Sequence, residues 1–229
     1  MDYELFKEIV DESSHYGPRS FSLHLFGEPL LYPKIIEAIR YIKNKNRKNT
    51  ILLTTNGTLL NQFANYLNSS SVDRIIWSYR RNNFDARSIA LLRKKGLIRL
   101  LIEETPKEEF EKWSKFPRVE IKHLHSYGGS IDVSKWKVPE PPERYPCYHL
   151  WLAPAIRWNG EIVECCNLAK SGENVFGIYG ETTLKEVWSG DGISKLRESH
   201  KKGIYPGACN NCTSWQAYPS IFFKAQCSH

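Results

Sequence analysis

Residues 20–33 read SFSLHLFGEPLLYP. Ser20 to Phe26 is a short, largely apolar run that reads as a strand, and Gly27-Glu28-Pro29 ends it. Pro33 then opens a segment carrying Ile35, Ile36, Ala38, Ile39 and Ile42 at helical spacing. This is one strand–turn–helix unit, and the cycle recurs. Strands are expected at 50–55, 73–79, 97–103 and 118–124, with helices at 58–68, 84–95 and 107–115. Strand starts lie 30, 23, 24 and 21 residues apart, the period of β/α units feeding a parallel sheet. Upstream, residues 2–15 place Leu5, Phe6, Ile9 and Val10 on one helical stripe, closed by Gly17-Pro18. The expected fold is α/β: an incomplete parallel (β/α) barrel of five strands that starts on a helix, with its open edge beside the 20–26 strand.

The 229 residues carry 41% hydrophobic and 25% charged side chains, ordinary values for a globular protein. No apolar run approaches the roughly 18–20 residues of a membrane span. Met1-Asp2-Tyr3-Glu4 opens an amphipathic helix rather than a secretory signal, so a cytoplasmic protein without a membrane partner is expected. Net charge is +7. The densest basic clusters are Lys43 to Lys48 (KNKNRK), at a helix end, and Arg80-Arg81. They read as a solvated surface rather than a nucleic-acid site. Between Asp132 and Pro146 stand Pro139, Pro141, Pro142 and Pro146 among charges, the composition of a linker. The expected organisation is a β/α domain over 1–131, a linker over 132–146 and a cysteine-rich domain over 147–229.

All six cysteines, Cys147, Cys165, Cys166, Cys209, Cys212 and Cys227, fall in that last segment. Cys209 and Cys212 have two residues between them and can reach one ion or cluster from a single turn. Cys147 and Cys165 can supply two further thiolates. Four thiolates suit either structural zinc or an iron–sulfur cluster. Two complete four-iron clusters need eight ligands, so six cysteines argue for one. Cys165 and Cys166 should point to opposite faces of a strand, so one should ligate while the other packs. Trp151, Trp158, Trp188 and Trp215 read as the core of this small domain.

In parallel β/α sheets, ligands bind at the C-terminal ends of the strands. Gly27-Glu28-Pro29 closes the first strand here, Thr54-Thr55-Asn56-Gly57 the second and Ser78 the third, with His123 and His125 at the last. Ordinary strand-to-helix turns favour Gly, Asn and Pro too, so each stretch alone is an unspecific signal.

Taken together, HLFGEPLLYP (24–33), LLTTNGTLL (52–60) and the tail CYHLWLAPAIRWNGEIVECC (147–166), FGIYGETTLKEVW (176–188) and CNNC (209–212) resemble the radical S-adenosylmethionine (SAM) superfamily with a C-terminal SPASM/twitch extension. The resemblance implies a TIM-barrel-related fold and a SAM-binding mouth at Gly27, Glu28, Pro29, Asn56 and Ser78, with Glu28 taking the SAM ammonium. It also implies one [4Fe-4S] cluster in the extension, where Gly160 to Cys165 fits the Gly-x4-Cys element. The ligands carried over are Cys147, Cys165, Cys209 and Cys212, which leaves Cys166 as a buried packing thiol, and Cys227 is a possible spare. The superfamily's CxxxCxxC motif, which holds the SAM-cleaving cluster, is absent from these residues. The chain is accordingly expected to be a truncated enzyme or a degenerate relative, with weak SAM binding. By resemblance it is related to oxidoreductases that modify a peptide or small molecule. A non-catalytic iron–sulfur binding module and a zinc-stabilised β/α binding protein stand as alternatives.

Overall fold

The computed structural model describes residues 1–136, 143–168 and 175–217. It divides into two units, Asp2–His123 and Leu124 onward with Met1. The division falls ahead of the expected boundary after residue 131.

In the first unit, α1 (Tyr3–His15) is followed by β1 (Ser20–Ser22), α2 (Ile35–Lys45), β2 (Thr50–Thr55), α3 (Leu60–Ser69), β3 (Arg74–Ser78), α4 (Ala86–Lys95), β4 (Gly96–Leu101), α5 (Lys107–Trp113) and β5 (Val119–Lys122). The five strands form one sheet in the order β1-β2-β3-β4-β5, every pairing parallel. β1 pairs only with β2 among the described residues, so the sheet's edge lies where the sequence placed it. β1 is shorter than expected. One further bond, from Leu23 N to Leu52 O, follows it before the chain turns off at Gly27.

The helices form for local reasons. Asp2 caps α1 through Glu4 N at 2.8 Å and Leu5 N at 3.2 Å, and Asp85 caps α4 through Ser88 N at 2.8 Å. Their apolar stripes pack on one face of the sheet. Ile35, Ile39 and Ile42 of α2, Leu60 and Leu67 of α3, and Leu91 and Leu92 of α4 join Ile51, Leu53, Ile75, Trp77, Ile98 and Leu100 in a single core. α4 passes into β4 with no loop. A Cβ on Gly96 would stand 2.6 Å from the Leu92 backbone, so this reversal needs glycine. The expected helix start at Pro33 is displaced, because residues Pro29–Leu31 first make a 3₁₀ turn capped by the Glu28 side chain.

The second unit contains α6 (His149–Leu152), β6 (Ala155–Ile156), β7 (Glu161–Val163), β8 (Val175–Ile178), α7 (Leu184–Ser189) and α8 (Asp191–Lys201). β6, β7 and β8 form an antiparallel meander. Thr183 and Glu186 form a reciprocal capping box at α7. Leu150, Ile193 and Leu196 are buried together with Trp151 and Phe176 against them. Trp215 is also buried, but Trp158 is 75% exposed. It sits where the chain turns between β6 and β7, which corrects its expected place in the core. The last residues of the expected β/α domain, from Leu124 on, belong to this unit: Ser126 N donates to Thr213 Oγ1 at 2.8 Å, and Ser126 Oγ to Asn211 O at 2.9 Å. Among the described residues, no helix is long and apolar enough to cross a membrane.

Candidate functional sites: a strand-end mouth and a thiol cavity

The first unit gathers its candidates at the C-terminal ends of β1, β2 and β3. Gly27 has φ +116°, a conformation side chains disfavour, and it turns the chain so that Glu28 faces the end of β2. Glu28 Oε1 accepts from Thr55 Oγ1 at 2.8 Å and from Leu30 N at 3.1 Å, while Oε2 accepts from Asn56 N at 2.8 Å. A carboxylate offers about four acceptor positions, so these bonds leave one on Oε2 unused. Thr55 Oγ1 also accepts from Gly57 N at 3.0 Å. Asn56 Oδ1 accepts from Thr58 N at 2.9 Å and Thr58 Oγ1 at 2.7 Å, and its carbonyl accepts from Trp77 Nε1 at 3.3 Å. Gly57 has φ +85°, and a Cβ there would lie 2.7 Å from Trp77 Nε1. The GEP and TNG stretches are therefore one hydrogen-bonded assembly, with Pro29 buried behind it.

The sheet face away from the helix-covered core carries polar side chains. Ser78 pairs in register with Arg99, and Arg99 with Glu120. Arg99 Nε donates to Glu120 Oε2 at 2.6 Å, and Lys122 Nζ lies 2.8 Å from Glu120 Oε1. Burial would raise the Glu120 pKa, but hydrogen bonds and charge from Lys122 and Arg99 prevail and hold it below the usual carboxylate range. His24 bonds to Ser22 Oγ through Nδ1 at 3.0 Å. Burial, with Arg99 nearby, pushes its pKa down to about 4. The sequence reading gave no role to Arg99, Glu120 and Lys122, although their shared parity along β4 and β5 places them on this face. His123 bonds to Glu103 at 2.7 Å, whereas His125 falls in the other unit.

In the second unit, Cys147, Cys165, Cys209 and Cys212 line one cavity together with Arg144, Leu150, His200, Ser214 and Trp215. Cys147 stands just before α6, Cys165 just after β7, and Cys209 and Cys212 on a 3₁₀ turn and the residues that follow it. Three thiols accept a backbone N–H from two residues on: Cys147 from His149, Cys165 from Asn167 at 3.4 Å and Cys212 from Ser214 at 3.4 Å. Such N–H groups favour thiolate. Burial works the other way, pushing Cys147 and Cys209 up to about 12, with Glu164 adding to the effect at Cys209. Cys165, 8% exposed, is raised as well, first by its hydrogen bond to Cys166 and then by burial. The same bond lowers Cys166 to about 7.

Cys166 is exposed, contrary to the packing role expected of it. β7 ends at Val163, and Cys166 opens a 3₁₀ turn at the surface. Cys227 lies outside the described residues. Among those residues no group of three or more His, Cys, Asp or Glu stands ready to hold a single metal ion. The four cysteines instead surround a cavity. Four soft donors, three already hydrogen-bonded from the backbone, fit a thiolate-ligated iron–sulfur group.

Residues 147–213 match the SPASM family, described as an iron-sulfur cluster-binding domain. A probable GTP 3',8-cyclase of Methanococcus maripaludis is 43% identical over 68 residues, covering 30% of this chain and 22% of that protein. A probable GTP 3',8-cyclase of Methanococcus aeolicus is 41% identical over 70 residues, covering 30% and 23%. The match thus spans less than a quarter of these relatives' length. Among solved structures, BtrN in complex with AdoMet and 2-DOIA superposes with a TM-score of 0.68 at 18% identity, covering 93% of this chain and 80% of BtrN. Selenomethionine BtrN in an open conformation gives 0.62 at the same identity and coverage. The BtrN likeness shows the fold. The domain match and the cyclase relatives bear on part of the chain, the family match on residues 147–213.

Proposed function

We propose that this chain is an iron–sulfur protein of the radical SAM/SPASM type, holding one [4Fe-4S] cluster on Cys147, Cys165, Cys209 and Cys212 and presenting a SAM-type mouth at Gly27, Glu28, Pro29, Asn56 and Ser78. The observation that carries the reading is the convergence of the four cysteines on one cavity, within the segment that matches an iron–sulfur domain. When bound, such a cluster supplies one-electron transfer. Glu28 keeps one acceptor position toward an ammonium, and Arg99, Glu120 and Lys122 give the adjoining face of the sheet charge of both signs. No cysteine precedes Cys147 in these residues. What they provide is therefore the tail cluster and the mouth, in a family scaffold that acts on a peptide or small molecule.

Anaerobic purification, with iron, sulfide and zinc counted per chain, tests the reading. About four irons with the visible absorption of a [4Fe-4S] centre are expected. One zinc per chain and no iron would replace the reading with a structural one. SAM should bind weakly by calorimetry, and Glu28→Ala should abolish that binding.

A further inference from the structure

Three buried polar atoms without a hydrogen-bond partner belong to residues lining the four-cysteine cavity: Nε of Arg144, Nε2 of His200 and Oγ of Ser214. Buried polar groups are nearly always paired, so three around one cavity mark the place of an acceptor.

The remaining bonds of these residues fix what they offer. Cys147 N donates to His200 Nδ1 at 3.3 Å. Nδ1 therefore presents its lone pair, and the ring proton sits on Nε2. His200 is 1% exposed, with its ring edge-on to Tyr205 at 4.9 Å, so the imidazole is held in place. Arg144 donates from Nη1 to Asn210 O at 2.8 Å and from Nη2 to Cys209 O, and its guanidinium lies 3.8 Å from the Tyr205 ring centroid. Both terminal nitrogens are engaged, and the buried Nε–H has no partner. Ser214 N donates to Cys212 Sγ at 3.4 Å, while its hydroxyl has no partner. Each residue thus binds the backbone or sulfur of a cysteine segment and keeps one further donor.

We propose that His200 Nε2–H, Ser214 Oγ–H and Arg144 Nε–H donate to the sulfurs of the cluster and raise its reduction potential. The proposal rests on the cluster reading given above. Reduction adds one electron, supplied by an external reductant, and the charge spreads over the sulfurs. N–H and O–H donors stabilise that form more than the oxidised one. Glu164 opposes them from the Cys209 side: its Oε1 lies 3.9 Å from Cys209 Sγ.

The test uses the reconstituted full chain, with iron and sulfide counted first, followed by an anaerobic redox titration monitored by visible absorption. Ser214→Ala removes only the hydroxyl. His200→Asn keeps an acceptor for Cys147 N–H and removes the outer donor, whereas His200→Gln restores an N–H near the Nε2 position. All three should retain full iron. At a fixed potential, the reduced-to-oxidised ratio should fall about tenfold in His200→Asn, about 59 mV for a one-electron couple. Ser214→Ala should shift it in the same direction by a smaller factor, and His200→Gln should lie closer to wild type. If His200→Asn fails to load, Ser214→Ala decides alone. Unmoved potentials at full iron would overturn the proposal and leave the cluster reading standing. A wild-type chain that takes up no iron would remove both.

Discussion

Replacing Glu28 by alanine deletes the acceptor of three hydrogen bonds, from Thr55 Oγ1, Leu30 N and Asn56 N, all within 3.1 Å. Bonds to a charged acceptor are each worth about 1.5–3 kcal/mol when well buried. Glu28 is only half-buried, and water can reach part of what the carboxylate leaves, so about 2 kcal/mol for the set is the reasonable sum. For a unit of this size that corresponds to a fall in Tm of roughly 6–10 °C. The loss should be local as well as global. The amides of Leu30 and Asn56 lose their acceptor outright, and Gly57 N–H loses the Thr55 hydroxyl that Glu28 oriented. Hydrogen exchange read by mass spectrometry should therefore speed up in peptides covering 28–32 and 54–60, while peptides in α4 and β5 stay near wild-type protection. Glu28→Gln keeps one acceptor oxygen and should lose about half as much. Unchanged exchange at 54–60 in Glu28→Ala, with unchanged Tm, would show that the carboxylate does not bind these two strand ends together.

Three further outcomes are expected. His24, whose pKa falls from 6.5 to about 4 on folding, stays neutral in the native state while the unfolded chain takes up a proton below about pH 6.5. Its stabilisation is complete above that pH and is lost as pH falls toward 4, so the urea-midpoint gap between wild type and His24→Gln should be smaller at pH 5 than at pH 7.5; a pH-independent gap would count against the burial. Gly57→Ala forces a Cβ to within 2.7 Å of Trp77 Nε1 at φ +85° and should cost about 2–3 kcal/mol by chemical denaturation; less than about 0.5 kcal/mol would mean that the Trp77 contact yields easily. Cys212→Ala should lower iron content and destabilise the tail, whereas exposed Cys166→Ala should leave iron unchanged, and the reverse pattern would reassign the ligand.

Much of the first unit was legible because its strands and helices alternate with a regular period and each helix carries one apolar stripe. The strand ends followed from the same rule. The internal bonding of Glu28 did not, because a carboxylate after glycine reads alike whether it faces a ligand or a neighbouring loop. Cys166 was misplaced because it stands beyond the end of β7, where period-two alternation no longer applies. Trp158 was expected in the core on its aromatic type alone, and it stands in the turn between β6 and β7. Cys165, which the Gly-x4-Cys spacing put forward as a ligand, is buried and lines the cavity with Cys147, Cys209 and Cys212. Arg144, His200 and Ser214 left no sequence signal, since their role depends on cysteines far away along the chain.

The two units differ in the order in which they can form. β2 to β5 each pair with the strand just before them in sequence, so this sheet can grow strand by strand during synthesis. The thiol cavity closes across long stretches of chain. Arg144 reaches a carbonyl 66 residues later, and Ser126 bonds to Thr213, 87 residues away. Such distant closures carry a larger entropic cost and form slowly. Until Cys209 to Ser214 have been made, Cys147 and Cys165 lie in a nascent segment whose partners do not yet exist. On the proposed cluster reading, metal acquisition is therefore confined to a late window of biosynthesis, after the sheet of the first unit is able to fold.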